Sequence, residues 1–479
     1  MKVLLIRPEP PNALLGLDPF FRVEPLGLEY LGEAIRRQGH QPIIIDNRVD
    51  HNVINLAKRV RPSVVGLSVL HALEFNQAIK IAETLRLLLP DAFIVAGGPA
   101  AACYSLPLET PAFDAVCLED GELVFPALVH AVDKKESLSE VAGLRLRSND
   151  EWIPTPQSPE RSSLDRIPLP ARDLVQRYRR NYYCLQLRPV WLIETARGCP
   201  FRCNFCSVWQ LYDQSFRERS IEAVVEDFAS TGENIFVIDD LFWNHAGRSQ
   251  ELAEALKKKG IHKNWILVQS RADLVTRHAD LLRAWRPLAK HFDIFFGFES
   301  ASDAALENIA KDARVIQTIE AARIARSMEY GVTGNFLVDP NWEEADFREL
   351  WDFVACHGFH RAGYTILTPI PGTEFFHKLA PILEGQPWHK YDMSHLLWEP
   401  ALGVRRFFEL YAETWKRSIL NTAGQKKLGD WIQQVRFRDL AHIIRIMKRT
   451  QRLMKLDAYL DANTDPLLPR SQLEHHKSV

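Results

Sequence analysis

A chain of 479 residues has room for two or three domains at roughly 100–200 residues each, which excludes a small disulfide-stapled scaffold. Hydrophobic residues make up 46% and charged ones 25%, ordinary for a globular protein, and the apolar runs at 64–70 and 93–103 fall short of the roughly 18–20 residues that span a membrane. The formal charge of −2 hides an asymmetry: after residue 400 there are 15 Lys and Arg against 8 Asp and Glu, so the tail carries +7 and the first 400 residues −9. No nucleic-acid reading module accompanies that basic tail, so no nucleic-acid partner is expected. Seven cysteines, scattered except for one triplet, point to a reducing cytosol and a cysteine-based site, and the apolar start at residues 1–8 is too short for a signal peptide.

In chain order, residues 2–7 read as a strand ended by Pro8 and Pro10, and 26–38 as a helix stopped by Gly39. Strands at 41–46, 63–70, 93–96 and 114–118 alternate with helices at 53–60, 76–89 and 123–132. Continuous apolar strands between amphipathic helices predict an α/β fold, a parallel sheet covered on both faces. Such a doubly wound, Rossmann-like domain binds ligands beyond the carboxyl ends of its strands.

Residues 136–186 break the rhythm with Ser-, Pro- and Arg-rich segments and read as a small meander and linker after a first domain at 1–135. The βα pattern restarts at Val190, with strands at 191–195, 235–239, 265–269, 294–297, 334–338 and 364–368. Six βα units over 187–375 predict a partial or complete βα barrel with its chemistry at strand C-termini. Residues 376–479 read as a helical C-terminal domain. One stripe holds Phe407, Phe408, Tyr411 and Trp415, and another Leu428, Trp431, Val435 and Ile443, with Arg436, Arg438, Arg445, Lys448 and Arg449 between them. The stripes predict a cap packed on the barrel; basic amphipathic helices with Trp and Phe also suit a peripheral membrane contact.

The strongest local signal is Arg197-Gly-Cys199-Pro-Phe-Arg-Cys203-Asn-Phe-Cys206, directly after the first strand of the second series. Three thiolates on one loop can bind three corners of a four-iron four-sulfur cluster and leave one iron open. Structural zinc would need a fourth ligand at finger-like spacing, which Cys184 and the histidines do not offer.

This spacing, at the end of the first strand of a six-unit βα barrel, resembles the radical S-adenosylmethionine (SAM) superfamily. The resemblance implies that Cys199, Cys203 and Cys206 ligate the cluster, that SAM chelates the open iron, and that Phe205 packs beside cluster and adenine. An electron from the cluster then cleaves the sulfonium to give methionine and a 5′-deoxyadenosyl radical. Where this superfamily binds SAM, the chain has Asp239 and Asp240, Ser270 and Arg271, and Glu299 and Ser300 at successive strand ends. Polar residues at such positions also serve simply as helix caps; Arg271 and Glu299 are the stronger candidates for binding SAM. Asp339 departs from the glycine that relatives often place before the following proline, so the local loop or substrate contact is expected to differ.

A doubly wound domain before such a barrel resembles the cobalamin-binding domain of the cobalamin-dependent radical SAM enzymes. The matching features are Pro25-Leu-Gly-Leu-Glu-Tyr30, Gly66-Leu-Ser68, Gly97-Gly98-Pro99 and Asp120-Gly121-Glu122. They imply cobalamin contacts from Ser68, Gly97, Gly98, Gly121 and Glu122, the glycines allowing close backbone approach. The Asp-x-His-x-x-Gly motif that supplies a lower axial histidine is missing: Asp50-His51 is adjacent rather than spaced, and His71 lacks the flanking residues. No lower ligand from that motif is expected.

The family resemblance implies a radical C-methyltransferase using a 4Fe-4S cluster, SAM and methylcobalamin, with catalytic side chains unknown. The domain order and helical tail are similar to the hopanoid C-3 methylase branch, which implies a lipid substrate. The alternatives are a ring-forming or oxidative member such as the anaerobic cyclases of bacteriochlorophyll synthesis, a natural-product or pigment methylase, and a non-catalytic cobalamin or iron–sulfur binding protein. The methylthiotransferase branch lacks support, since only Cys103 and Cys117 precede residue 184. The expected partners are a small-molecule or lipid substrate and a flavodoxin- or ferredoxin-type reductant. The expected location is the cytoplasm, with membrane association through the tail.

Overall fold

The computed structural model describes residues 1–10, 20–149, 151–158, 163–420 and 439–469. In the first domain five strands run parallel: β1 (Lys2–Arg7), β2 (Gln41–Asp46), β3 (Val64–Ser68), β4 (Phe93–Gly97) and β5 (Ala115–Cys117). Their spatial order is β2-β1-β3-β4-β5, extended by an antiparallel hairpin of β6 (Leu144–Ser148) and β7 (Glu151–Pro154). The hairpin lies inside the stretch read as meander and linker. β1 is buried from Val3 onward because its side chains face helices on both sides of the sheet. On one face α1 (Leu26–Arg37) and α4 (Gly121–Lys134) contribute Leu28, Ile35, Val124 and Leu128. On the other, α2 (Val53–Val60) and α3 (Phe75–Leu88) contribute Val53, Leu56, Phe75 and Leu85. The order reverses between β1 and β3, the point where such sheets open a crevice for ligands.

The second sheet holds β8 (Trp191–Ile193), β9 (Asn234–Val237), β10 (Lys263–Ser270), β11 (Ala289–Glu299), β12 (Gly331–Val338) and β13 (Ala362–Ile366), parallel and in chain order. Among the described residues β8 and β13 stay at its edges, so the barrel is partial. Arg172 joins the two domains from inside the protein. Its guanidinium reaches Glu24 at 2.8 Å, Asp227 at 2.8 Å and the Leu192 carbonyl at 2.7 Å, while Glu24 accepts the Leu192 amide at 2.6 Å.

The tail divides its apolar faces between both bodies, which corrects the expectation of a cap on the barrel alone. In the helix Glu374–Leu383, Phe376, Leu379 and Leu383 share one face and enter the core of the first domain with Trp398. The helix Val404–Ile419 buries Phe407, Phe408, Tyr411 and Trp415 on the barrel, and the Tyr411 hydroxyl donates to the Tyr364 carbonyl at 2.8 Å. Of the second stripe, Ile443 is buried, while Leu428, Trp431, Val435, Arg436 and Arg438 lie outside the described residues. No helix among the described residues is long and apolar enough to cross a membrane.

Candidate functional site

The carboxyl ends of β3, β4 and β5 and the first turn of α1 form one wall of a cleft holding about 1220 Å³ between its walls, open mouth included. Glu194, Arg197, Leu211, Tyr212, Ile238 and Asp240 of the barrel form the other wall. Ser68, Gly97, Gly98, Gly121 and Glu122 all line it. Gly27 also lines it, and a Cβ added there would meet nothing within 4 Å, so the cleft is open at that position. Gly98 is glycine for a different reason from ligand approach. Its φ is +105°, and a Cβ would lie 2.7 Å from the Val69 carbonyl oxygen, so the backbone itself excludes a side chain. No histidine lines the cleft among the described residues. His71 is exposed, and His51 pairs with Glu9 at the surface.

Glu122 lines the cleft, but its carboxylate is committed to Arg197 at 2.8 Å. Arg197 also binds Glu194 through two bonds at 2.9 and 2.8 Å, and Asp120 at 3.3 Å; Asp120 in turn takes Arg217 at 2.7 Å. Burial pulls the Arg197 pKa down, but Glu122 and Glu194 more than offset this and hold the guanidinium charged. Arg197 stands two residues before Cys199, so the cleft wall and the cysteine loop share one buried cation.

The loop itself is pinned from several elements. Gly198, with φ +98°, has no room for a Cβ beneath the Ser215 carbonyl, and its amide donates to Asp240 at 2.9 Å. Asn204 accepts the Phe375 amide at 3.1 Å and donates to the Ile309 and Asn308 carbonyls at 3.2 and 3.0 Å. Trp209 donates to the Cys203 carbonyl at 3.0 Å. Cys203 is buried, Cys199, Cys206 and Phe205 are half-buried, and burial pushes the Cys206 thiol up to about 12. Iron is the kind of partner that removes such protons, because it binds thiolate. Among the described residues no three Cys, His, Asp or Glu side chains converge on a single-ion site.

Two cations flank the loop. The Arg271 guanidinium lies 3.5 Å from the Phe201 ring centroid, pairs with Asp273 at 2.8 Å and donates to the Asp312 carbonyl. Lys311 pairs with Glu299 at 2.9 Å. Burial pulls the Lys311 pKa down, but Glu299 and Cys203 raise it further, so it stays charged. Burial raises the Cys203 thiol pKa, and both cations partly oppose that rise. Three thiols beside two fixed cations are a donor set that fits an anionic iron–sulfur cluster. Glu299 is bulged, with φ +61°, a conformation that a non-glycine residue holds only when its surroundings impose it.

Other expected positions are occupied by local structure. Asp239 accepts the Thr195 amide at 2.6 Å and its hydroxyl at 2.5 Å, and Ser270 donates to the Phe242 carbonyl at 3.0 Å. Burial raises the Asp239 carboxyl to about 7 and Asp240 to about 6. Asp339 accepts the backbone and side-chain amides of Asn341 at 2.8 and 2.9 Å, so the departure from glycine closes its own turn. Sequence reasoning missed Arg197, Glu194, Tyr212 and Lys311. Arg197 left a signal, a charge between an apolar strand and the first cysteine.

The B12 binding domain model matches residues 14–129 and the radical SAM superfamily model residues 193–354. The chain is 31% identical over 415 residues to the hopanoid C-3 methylase of Methylococcus capsulatus, covering 85% of this chain and 78% of that one. In fold it is similar to the radical SAM methyltransferase TsrM of Kitasatospora setae, solved with cobalamin and a [4Fe-4S] cluster, at TM-score 0.63 and 16% identity over 80% of this chain and 78% of that one. It is similar likewise to the radical enzyme OxsB with aqua-cobalamin and SAM bound, at TM-score 0.68 and 15% identity over 99% of this chain and 75% of that one. Two family matches in the order of the two domains, and an identity that runs through both, place this chain in the cobalamin-dependent radical SAM methyltransferase family, enzymes that methylate carbon with a 4Fe-4S cluster, SAM and cobalamin.

Proposed function

We propose that this methyltransferase acts on an unactivated carbon of a pentacyclic lipid, at C-3 of a hopanoid. The observation that carries the reading is the 31% identity to a hopanoid C-3 methylase across both domains.

When bound, the cluster and SAM supply a radical able to take hydrogen from an unactivated C–H bond, and cobalamin supplies the methyl group. Cys199, Cys203 and Cys206 hold the cluster, with Lys311 and Arg271 balancing its negative charge. Glu299, Arg271 and Phe205 border the SAM position. Ser68, Gly97, Gly98 and Gly121 form the cobalamin wall, and Glu122 acts there through Arg197. A flavodoxin- or ferredoxin-type protein delivers the electron.

Two measurements test the reading. Disrupting the gene is expected to remove 3-methylhopanoids from lipid extracts and leave the unmethylated lipids; an unchanged profile rejects the substrate. Anaerobic turnover on the unmethylated lipid is expected to release 5′-deoxyadenosine and S-adenosylhomocysteine in equal amounts; deoxyadenosine alone rejects methyl transfer to it.

A further inference from the structure

The helix Leu440–Arg452 carries Arg445, Lys448, Arg449 and Arg452 and no acidic residue. Leu440, Ile444 and Met447 stand out from it, 44%, 44% and 54% exposed, at i, i+4 and i+7 spacing that aligns them on one stripe. Ala441, Arg445, Lys448 and Arg452 form an exposed stripe beside them, and Arg445, Lys448 and Arg452 have no acidic partner among the described residues. The opposite side is anchored. His442 and Ile443 are buried, His442 meets the Leu185 carbonyl at 3.0 Å and the Tyr183 ring at 4.5 Å, and Asp439 pairs with Arg188 at 2.6 Å. The helix therefore cannot roll to hide its apolar stripe without breaking these contacts.

The two stripes make different demands on a partner. Nucleic acid would satisfy the cations and leave three large apolar side chains in water. A bilayer with anionic headgroups satisfies both, since acyl chains receive the apolar stripe and lipid phosphates the cations. We propose that Leu440–Arg452 is a peripheral docking helix that seats the enzyme on an anionic lipid bilayer. The inference rests on the lipid-substrate reading for its purpose, because a hydrocarbon substrate resides in a membrane.

The test is co-sedimentation of the full-length, cofactor-loaded enzyme with phosphatidylcholine vesicles, with and without phosphatidylglycerol, at low and high salt. Binding is expected to be about tenfold or more stronger with phosphatidylglycerol and to weaken with salt. The double variants Ile444→Asp/Met447→Asp and Arg445→Glu/Lys448→Glu are each expected to lose about tenfold in partitioning while keeping cobalamin loading and turnover on detergent-dispersed substrate. Wild-type binding that ignores phosphatidylglycerol, or variants that bind as well as wild type, would overturn the proposal. So would RNA binding, or a self-associated dimer, that depends on these residues in place of vesicle binding. Vesicle binding without methylation of any hopanoid supports the docking helix and rejects only the substrate; methylation of dispersed hopanoid without vesicle binding rejects only the docking helix.

Discussion

Arg197, two residues ahead of the first cysteine of the three-cysteine loop, reaches across the domain boundary to Glu122 at the start of a helix in the first domain, 2.8 Å away. One buried guanidinium thus ties the three-cysteine loop to the wall of the cleft between the domains, with Glu194 and Asp120 completing its acceptors. On the proposed function both cofactors would have to face one substrate carbon, and a shared charge would keep their supports in register. Removing Arg197 leaves buried carboxylates without their common cation, a loss of about 3–5 kcal/mol for such networks. Arg197→Ala is expected to lower the denaturation midpoint and the cobalamin content together. Glu122→Gln, which still accepts a hydrogen bond, is expected to cost only about 1 kcal/mol. Equal effects of the two in a denaturant titration would contradict this account.

The pair of Glu299 and Lys311 is buried on both sides. Lys311→Met leaves the Glu299 charge uncompensated and is expected to destabilise by about 3–5 kcal/mol. Adding Glu299→Gln is expected to restore most of that stability without restoring SAM affinity. Thermal melts and equilibrium dialysis against SAM separate the two effects.

Asp239 links pH to stability. Its carboxyl titrates near pH 4 when unfolded, and burial raises it to about 7 in the fold. The folded state therefore holds an extra proton on this group between those values, so its contribution to stability is greatest below about pH 4, falls as pH rises through the window, and is gone above about 7. The slope is at most about 1.4 kcal/mol per pH unit. Asp239→Asn is expected to flatten the part of the stability curve between pH 5 and about 7 that this residue contributes, as read from urea midpoints at several pH values.

Each of Cys199→Ser, Cys203→Ser and Cys206→Ser is expected to abolish turnover and sharply lower bound iron and sulfide. Cobalamin loading is expected to survive, because the cleft wall from the first domain contains none of these thiols. Iron and cobalamin assays on the same preparation check the separation, and parallel loss of both would show that the sites depend on one another for folding.

Much of the fold was legible because its signals are local. β1 and β2 have the bounds read from their apolar runs, and the helix from Leu26 stops before Gly39, whose φ of +84° suits no other residue as well. The tail was read less completely. The stripe of Phe407, Phe408, Tyr411 and Trp415 announced a buried face, but nothing in it, or in Phe376 and Leu379, says which of two cores each helix enters. Asp239 and Ser270 show a similar limit, since a polar residue at a strand end has the same pattern whether it faces a ligand or a neighbouring amide.

By itself, then, the sequence determined the three-cysteine loop, the order of the two βα bodies and the glycines of the cleft. Thiol spacing, strand and helix periods and left-handed turns are all set within a few residues. Only the tertiary structure decided that Glu122 serves Arg197, that Lys311 pairs with Glu299 and acts electrostatically on Cys203, and that the tail straddles both domains. Those pairings depend on where the chain returns in space, and a buried charge takes the partner that the packing brings within reach.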